Sequence, residues 1–233
     1  MDSRKLNIFH YGGFFPSDKT LEKNRKQLEK LDRVLKDING ISITQEPAST
    51  DNKFISEEKC GFLDKYDIVI IDDIAKNCRD YNGMKRFIEL NILEKGKTLI
   101  FLGGYGLTKA YNTQLGKYLS ASIKHRFPED THNDESKEVR TKLRKNIKIS
   151  RGIGVGLNFS GFNILEPLKD SEVLSWFEAD GEEYPAWVSC KVGEAKIIIF
   201  GSSSHPSWGT QALKNSEDFK KMWVEIFYYI NLL

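Results

Sequence analysis

Short apolar runs alternate with helical-period stretches along the first half of the chain. Residues 6–11, Leu6-Asn7-Ile8-Phe9-His10-Tyr11, read as a strand stopped by Gly12-Gly13. Leu21, Leu28, Leu31, Val34, Leu35 and Ile38 follow at helical spacing, with Lys, Arg and Glu between them. Asn39-Gly40 supplies the stop for that helix. Ile41-Ser42-Ile43-Thr44 reads as a second strand. Tyr66-Asp67-Ile68-Val69-Ile70-Ile71 is nearly continuous in apolar residues, the pattern of a parallel strand covered on both faces. The pattern predicts a helix over about 80–94, a turn at Gly96, a strand at Thr98-Leu99-Ile100-Phe101-Leu102 and a helix over 107–119.

Alternating strands and helices predict an open, mostly parallel sheet with right-handed crossovers. In such sheets ligands sit at the carboxyl ends of the strands. That places attention on His10-Tyr11-Gly12-Gly13, Asp72-Asp73, Gly103-Gly104-Tyr105-Gly106 and a late loop, 201–209.

Residues 120–151 break the alternation. They hold Pro128, the acids Glu129, Asp130 and Asp134, and a basic tail of Arg140, Lys142, Arg144, Lys145, Lys148 and Arg151. We read them as a charged insertion or flap, either a lid or a docking surface, within a single domain spanning 1–233. In the last third, runs at 173–177, 186–190 and 197–200 predict short antiparallel strands separated by turns at Gly181 and 192–194. A final amphipathic helix carries Phe219, Met222, Trp223, Ile226, Phe227 and Ile230.

Composition narrows the class. Of 233 residues, 39% are hydrophobic and 29% charged, which fits a globular chain and excludes a disordered one. Lys and Arg total 35 against 33 for Asp and Glu, so no global charge favours nucleic acid or an anionic membrane. No apolar run is long enough for a transmembrane helix, and the first residues show no signal-peptide core. Cys60, Cys78 and Cys190 show neither zinc-ligand spacing nor a disulfide framework, so a cytoplasmic location is the expectation.

The strand into Gly103-Gly104 and the helix-forming residues after it have the form of a nucleophile elbow, with Tyr105 at its tip. Three segments resemble the class I glutamine amidotransferase-like superfamily, in its branch named "putative glutamine amidotransferase". They are 66–73, 95–105, and 192–200 followed by His205-Pro206-Ser207-Trp208-Gly209. The resemblance implies a three-layer α/β sandwich, flavodoxin-like, with an antiparallel C-terminal extension. It also implies a Cys-His-Glu triad in which Cys attacks the glutamine amide, His moves the proton and Glu orients the His. Tyr105 stands at the Cys position, His205 at the His position and Ser207 at the Glu position. A phenol with a pKa of about 10 is a poor acyl-transfer nucleophile at neutral pH. The implied function is therefore a protein without glutaminase activity, a small-molecule-binding or assembly module. The alternative is a hydrolase using His205 with Asp72 or a bound metal.

The remaining candidates carry two readings each. His205 is a general base or metal ligand, or it hydrogen-bonds a neighbouring loop. Asp72 and Asp73 bind a metal or a hydroxyl pair, or one caps the next helix. His10 could join Asp72 and His205 in a cluster for a divalent metal; otherwise no cofactor is expected. Gly12, Gly103 and Gly104 allow backbone N–H groups to approach a ligand, without Walker or dinucleotide spacing. Cys78 is either a displaced nucleophile or an incidental thiol. Trp187, Trp208 and Tyr105 could line a pocket, whereas Trp176 and Trp223 are assigned to the core. Expected partners are a small-molecule ligand of unknown identity and a second copy or another protein.

Overall fold

The structure is a computed structural model. It describes residues 5–12, 32–46, 61–72, 81–104, 116–127, 147–203, 208–209 and 216–230. Strands β1 (Leu6–Gly12), β2 (Ile41–Glu46), β3 (Ile68–Asp72) and β4 (Thr98–Leu102) come first. Then follow β5 (Ala121–Phe127), β6 (Ile147–Gly152), β7 (Asn158–Phe159), β8 (Phe162–Pro167), β9 (Glu172–Ala179), β10 (Glu182–Val192) and β11 (Ala195–Phe200). The main sheet has nine strands in the order β2-β1-β3-β4-β11-β10-β9-β6-β7. From β2 to β11 all neighbours are parallel; from β11 to β7 all are antiparallel.

The expected mostly parallel α/β sheet is present. β1, β3 and β4 lie side by side, and the predicted antiparallel strands of the last third extend the sheet. Why these runs become parallel strands follows from their burial. Residues 68–72 and 98–102 are buried along their whole length, so neither strand has a face to give to water. Their alternate side chains enter two separate apolar clusters. One cluster joins Ile8, Ile68, Ile70, Ile100 and Phe200 to Val34 and Leu35 and to Trp223 and Phe227 of the C-terminal helix, Ser216–Tyr229. The other joins Phe9, Val69, Ile71, Phe101 and Ile199 to Met84, Phe87, Ile88 and Ile92. The predicted 80–94 helix is an α-helix over Tyr81–Phe87 that continues as a π-helix over Ile88–Leu93.

Several expectations meet a different outcome. Of the helix expected over 107–119, residues 107–115 lie outside the described residues, and Gly116–Tyr118 is one 3-10 turn. Both ends of the 120–151 segment are strands: β5 pairs antiparallel with β8 in a two-stranded sheet, and β6 joins the main sheet beside β9. Residues 128–146, with Arg140, Lys142, Arg144 and Lys145, lie outside the described residues. The two basic residues of that tail that are described are paired on the extension. Lys148 Nζ is 3.2 Å from Glu178, and Arg151 is 2.9 Å from Glu183 with its guanidinium over the Trp176 ring. Trp187 is not a pocket residue. It is fully buried, stacked on Phe200 and edge-on to Trp223.

Candidate functional site

The carboxyl ends of β1, β3, β4 and β11 meet at one edge of the sheet. Gly12 is the register partner of Asp72, and Asp72 of Leu102, which in turn is the partner of Phe200. His10, two residues before the end of β1, and Asp72, at the end of β3, lie on the same face of the sheet as Ile8 and Ile70. Both side chains are fully buried.

His10 sits between two carboxylates. Its Nδ1 is 3.4 Å from Asp32 Oδ1, and its Nε2 is 3.7 Å from Asp72 Oδ2, an ion-pair distance too long for a hydrogen bond. Asp32 comes from the helical stretch 32–36 and is itself buried. Burial alone would push the imidazole pKa down. The hydrogen bond with Asp32 and the negative charges of Asp32 and Asp72 outweigh it and push it up to about 9. At neutral pH His10 is therefore an imidazolium, charged and enclosed. Asp72 carries the connection across to the loop after β11, accepting a hydrogen bond of 3.0 Å from the Ser203 hydroxyl. The chain Asp32–His10–Asp72–Ser203 thus ties a helix, two strands and the late loop together below the sheet edge.

The glycine turn is held from the other side. Gly103 N–H is shared between the carbonyls of Phe200 and Ser202, at 2.8 and 2.6 Å. A Cβ at Gly103 would run into the backbone carbonyl of Gly201, so this close approach requires glycine. Gly104 has φ +148 and is bracketed by the buried side chain of Asn163. The Asn163 amide oxygen accepts from Gly104 N–H at 2.9 Å, and its amide nitrogen donates to Gly104 C=O at 3.3 Å. The Asn163 main-chain N–H also donates to Gly201 C=O at 2.7 Å, so β8 fixes both loops of the site at once. Trp208 is half-buried. Its backbone carbonyl accepts from Ser160 N–H at 2.8 Å, and a Cβ at Gly161 would come within 2.7 Å of its indole nitrogen. Ser202 donates to Gly161 C=O at 2.7 Å, closing this small frame.

The structure thus brings together His10, Gly12, Asp72, Gly103 and Gly104, with Trp208 placed against Gly161 beside the late loop. Tyr105, His205, Ser207, Asp73 and Cys78 lie outside the described residues. Among the described residues no group of three or more His, Cys, Asp or Glu side chains is placed to hold a metal ion. Sequence reading did not find Asp32, Asn163, Gly161 or the role of Ser203. Two signals were available. Asp32 stands four residues after Leu28 and three before Leu35, on the apolar stripe of its helix, and Asn163 interrupts the apolar run Phe162-Asn163-Ile164-Leu165. A polar group at an apolar position needs a partner.

The glycine elbow and late loop are the parts that the family resemblance singles out, and the family model described as "Putative glutamine amidotransferase" matches residues 2–232. The chain belongs to that family. A search of curated proteins finds no match. Among solved structures, the cytoplasmic protein STM1381 from Salmonella typhimurium LT2 is similar over 97% of this chain and 99% of that one. It has a TM-score of 0.66 and 18% identity. A ThuA-like protein from Bacteroides uniformis ATCC 8492 is similar over 97% and 91% of the two chains, with a TM-score of 0.55 and 10% identity. The exo-beta-1,4-mannosidase Op5Man5 from Opitutaceae bacterium strain TAV5 has a TM-score of 0.53 and 10% identity. The match covers 98% of this chain but 36% of the mannosidase. These likenesses are of fold. Among the described residues no helix is long and apolar enough to cross a membrane.

Proposed function

We propose that this chain is a glutamine amidotransferase-like pseudoenzyme that acts as a small-molecule-binding or assembly module. One observation carries the reading: Asn163 brackets the glycine turn with both of its side-chain hydrogen bonds, while Tyr105 stands in the sequence at the position where the family chemistry requires Cys. Asn163 and Gly103 fix the turn to within hydrogen-bonding tolerance, the preorganisation that a binding site needs. A neutral phenol at its tip is unsuited to attack an amide, and Ser207 brings no carboxylate to orient His205. Asp72 is already engaged by His10 and Ser203, which makes it a poor free base or metal ligand for the alternative hydrolase. The same proposal holds that the chain adopts a three-layer, flavodoxin-like arrangement, with the part of the 120–151 segment between β5 and β6 as an insertion used for docking. The mannosidase match, in which this fold accounts for only part of a longer chain, supports a modular role. The likeness to the cytoplasmic protein STM1381 supports a cytoplasmic location.

The test is ammonia release from L-glutamine together with native mass spectrometry of the purified protein. We expect release at background and no labelling of Tyr105 by glutamine-analogue alkylators. A rate above background that disappears in His205→Ala, or labelling of Cys78 that abolishes it, would overturn the proposal. Assembly is read separately. Replacing Arg140, Arg144 and Lys145 together by Ala should lower the solution mass in a salt-dependent way.

A further inference from the structure

The opposite edge of the sheet holds a cavity. Its volume is about 220 Å³, below the range of about 300–1,000 Å³ usual for drug-sized ligands. Asp170, Glu172, Ser189, Cys190, Lys191, Lys196 and Tyr229 line it. Lys196 is the register partner of Thr98, where β4 begins, whereas the elbow follows the end of β4. The cavity and the elbow are therefore at opposite ends of these strands.

Its charges are arranged in an unusual way. Lys191 and Lys196 are direct cross-strand partners, so two ammonium groups stand on neighbouring strands with like charges opposed. Such pairs destabilise a sheet unless something neutralises them. Asp170, in the turn before β9, and Glu172, the first residue of β9, lie on the other side, with β10 between Glu172 and Lys196. Among the described residues, neither lysine forms an ion pair with either acid. Glu172 instead accepts a hydrogen bond of 2.8 Å from the Tyr229 hydroxyl, and Lys196 Nζ lies 5.6 Å from the centre of the Tyr229 ring. Burial pushes the Tyr229 phenol up, and Glu172 adds to the shift against the opposing Ser189 contact, so the ring presents a neutral floor. Burial likewise pushes the Cys190 thiol up.

Two positive groups on one side, two negative groups on the other and an aromatic floor make a neutral but polarised cavity. We propose that it binds a small zwitterion, a free α-amino acid or a close analogue. The carboxylate sits between Lys191 and Lys196, and the ammonium faces Asp170 and Glu172. A simple anion would meet the acids, and a simple cation the lysines, so neither satisfies both sides.

The probe is L-serine, with acetate, methylammonium and inorganic phosphate as controls that carry charge of one sign only. Binding is followed by the amide NMR shifts of Ser189, Cys190 and Lys196, and by the rate of Cys190 alkylation read peptide by peptide. L-serine should give saturable shifts at these residues and slow the alkylation. Acetate and methylammonium should bind at least about tenfold more weakly. Lys196→Met and Asp170→Asn should each weaken L-serine about tenfold, with the far-UV spectrum of the parent. If Lys196→Met fails to fold, Lys191→Met, exposed at the end of β10, replaces it. The proposal is overturned if no saturable shift occurs, if phosphate or acetate binds as well as L-serine, or if the folded variants bind like the parent.

Discussion

His10 gives the most quantitative expectation. Its imidazolium is fully buried between Asp32 and Asp72, and its pKa rises from 6.5 to about 9 on folding. A group whose folded pKa lies above its unfolded value stabilises the fold most at low pH. The contribution is complete below pH 6.5, shrinks as pH rises, and is gone above about 9. The difference corresponds to about 3 kcal/mol, at about 1.4 kcal/mol per pKa unit. That is a sizeable part of a total stability on the order of 5–15 kcal/mol. His10→Gln removes the cation and leaves two buried carboxylates facing a neutral amide, at a cost of about 3–5 kcal/mol near neutral pH. The assay is urea unfolding of parent and variant at several pH values from 6 to 10. The gap in stability should be widest at the low end and narrow steadily towards pH 10, because the parent loses what the variant never had. A gap independent of pH would refute the reasoning, since it would mean that His10 is buried neutral.

Other expectations follow from the frame around the elbow. Asn163→Ala strips both side-chain bonds from Gly104 and should cost about 2–3 kcal/mol in urea unfolding, with faster amide exchange at Gly104. Ser203→Ala should cost about 1 kcal/mol and should not be additive with Asp72→Asn, which a double-mutant cycle would detect. Gly161→Ala places a methyl within 2.7 Å of the Trp208 indole and should displace that ring, read as a change in tryptophan fluorescence with modest loss of Tm. Gly103→Ala should be far more damaging and prevent recovery of folded protein, because the clash is with the Gly201 backbone and not with a movable side chain.

Local pattern alone determined much of the scaffold. Continuous apolar runs at 68–71 and 99–102 specify doubly covered strands wherever they are placed. Glycines after them specify turns, and the alternation of period specifies a largely parallel sheet. Asp32 and Asn163 show what the pattern could not decide. Each is a polar residue in an apolar stretch, and the sequence says that it needs a partner without saying which. Asp32 finds His10, 22 residues away, and Asn163 finds Gly104, 59 residues away. The antiparallel pairing of β6 with β9 was hidden for a related reason, because β6 lies in a segment dominated by charge and only Ile147 and Ile149 of it are buried, against a partner strand that the local pattern does not name. The same distance effect sets the chemistry. A histidine in a strand has an ordinary pKa until folding removes its water and brings two carboxylates beside it. Its charge is therefore a property of the tertiary structure and not of the residue.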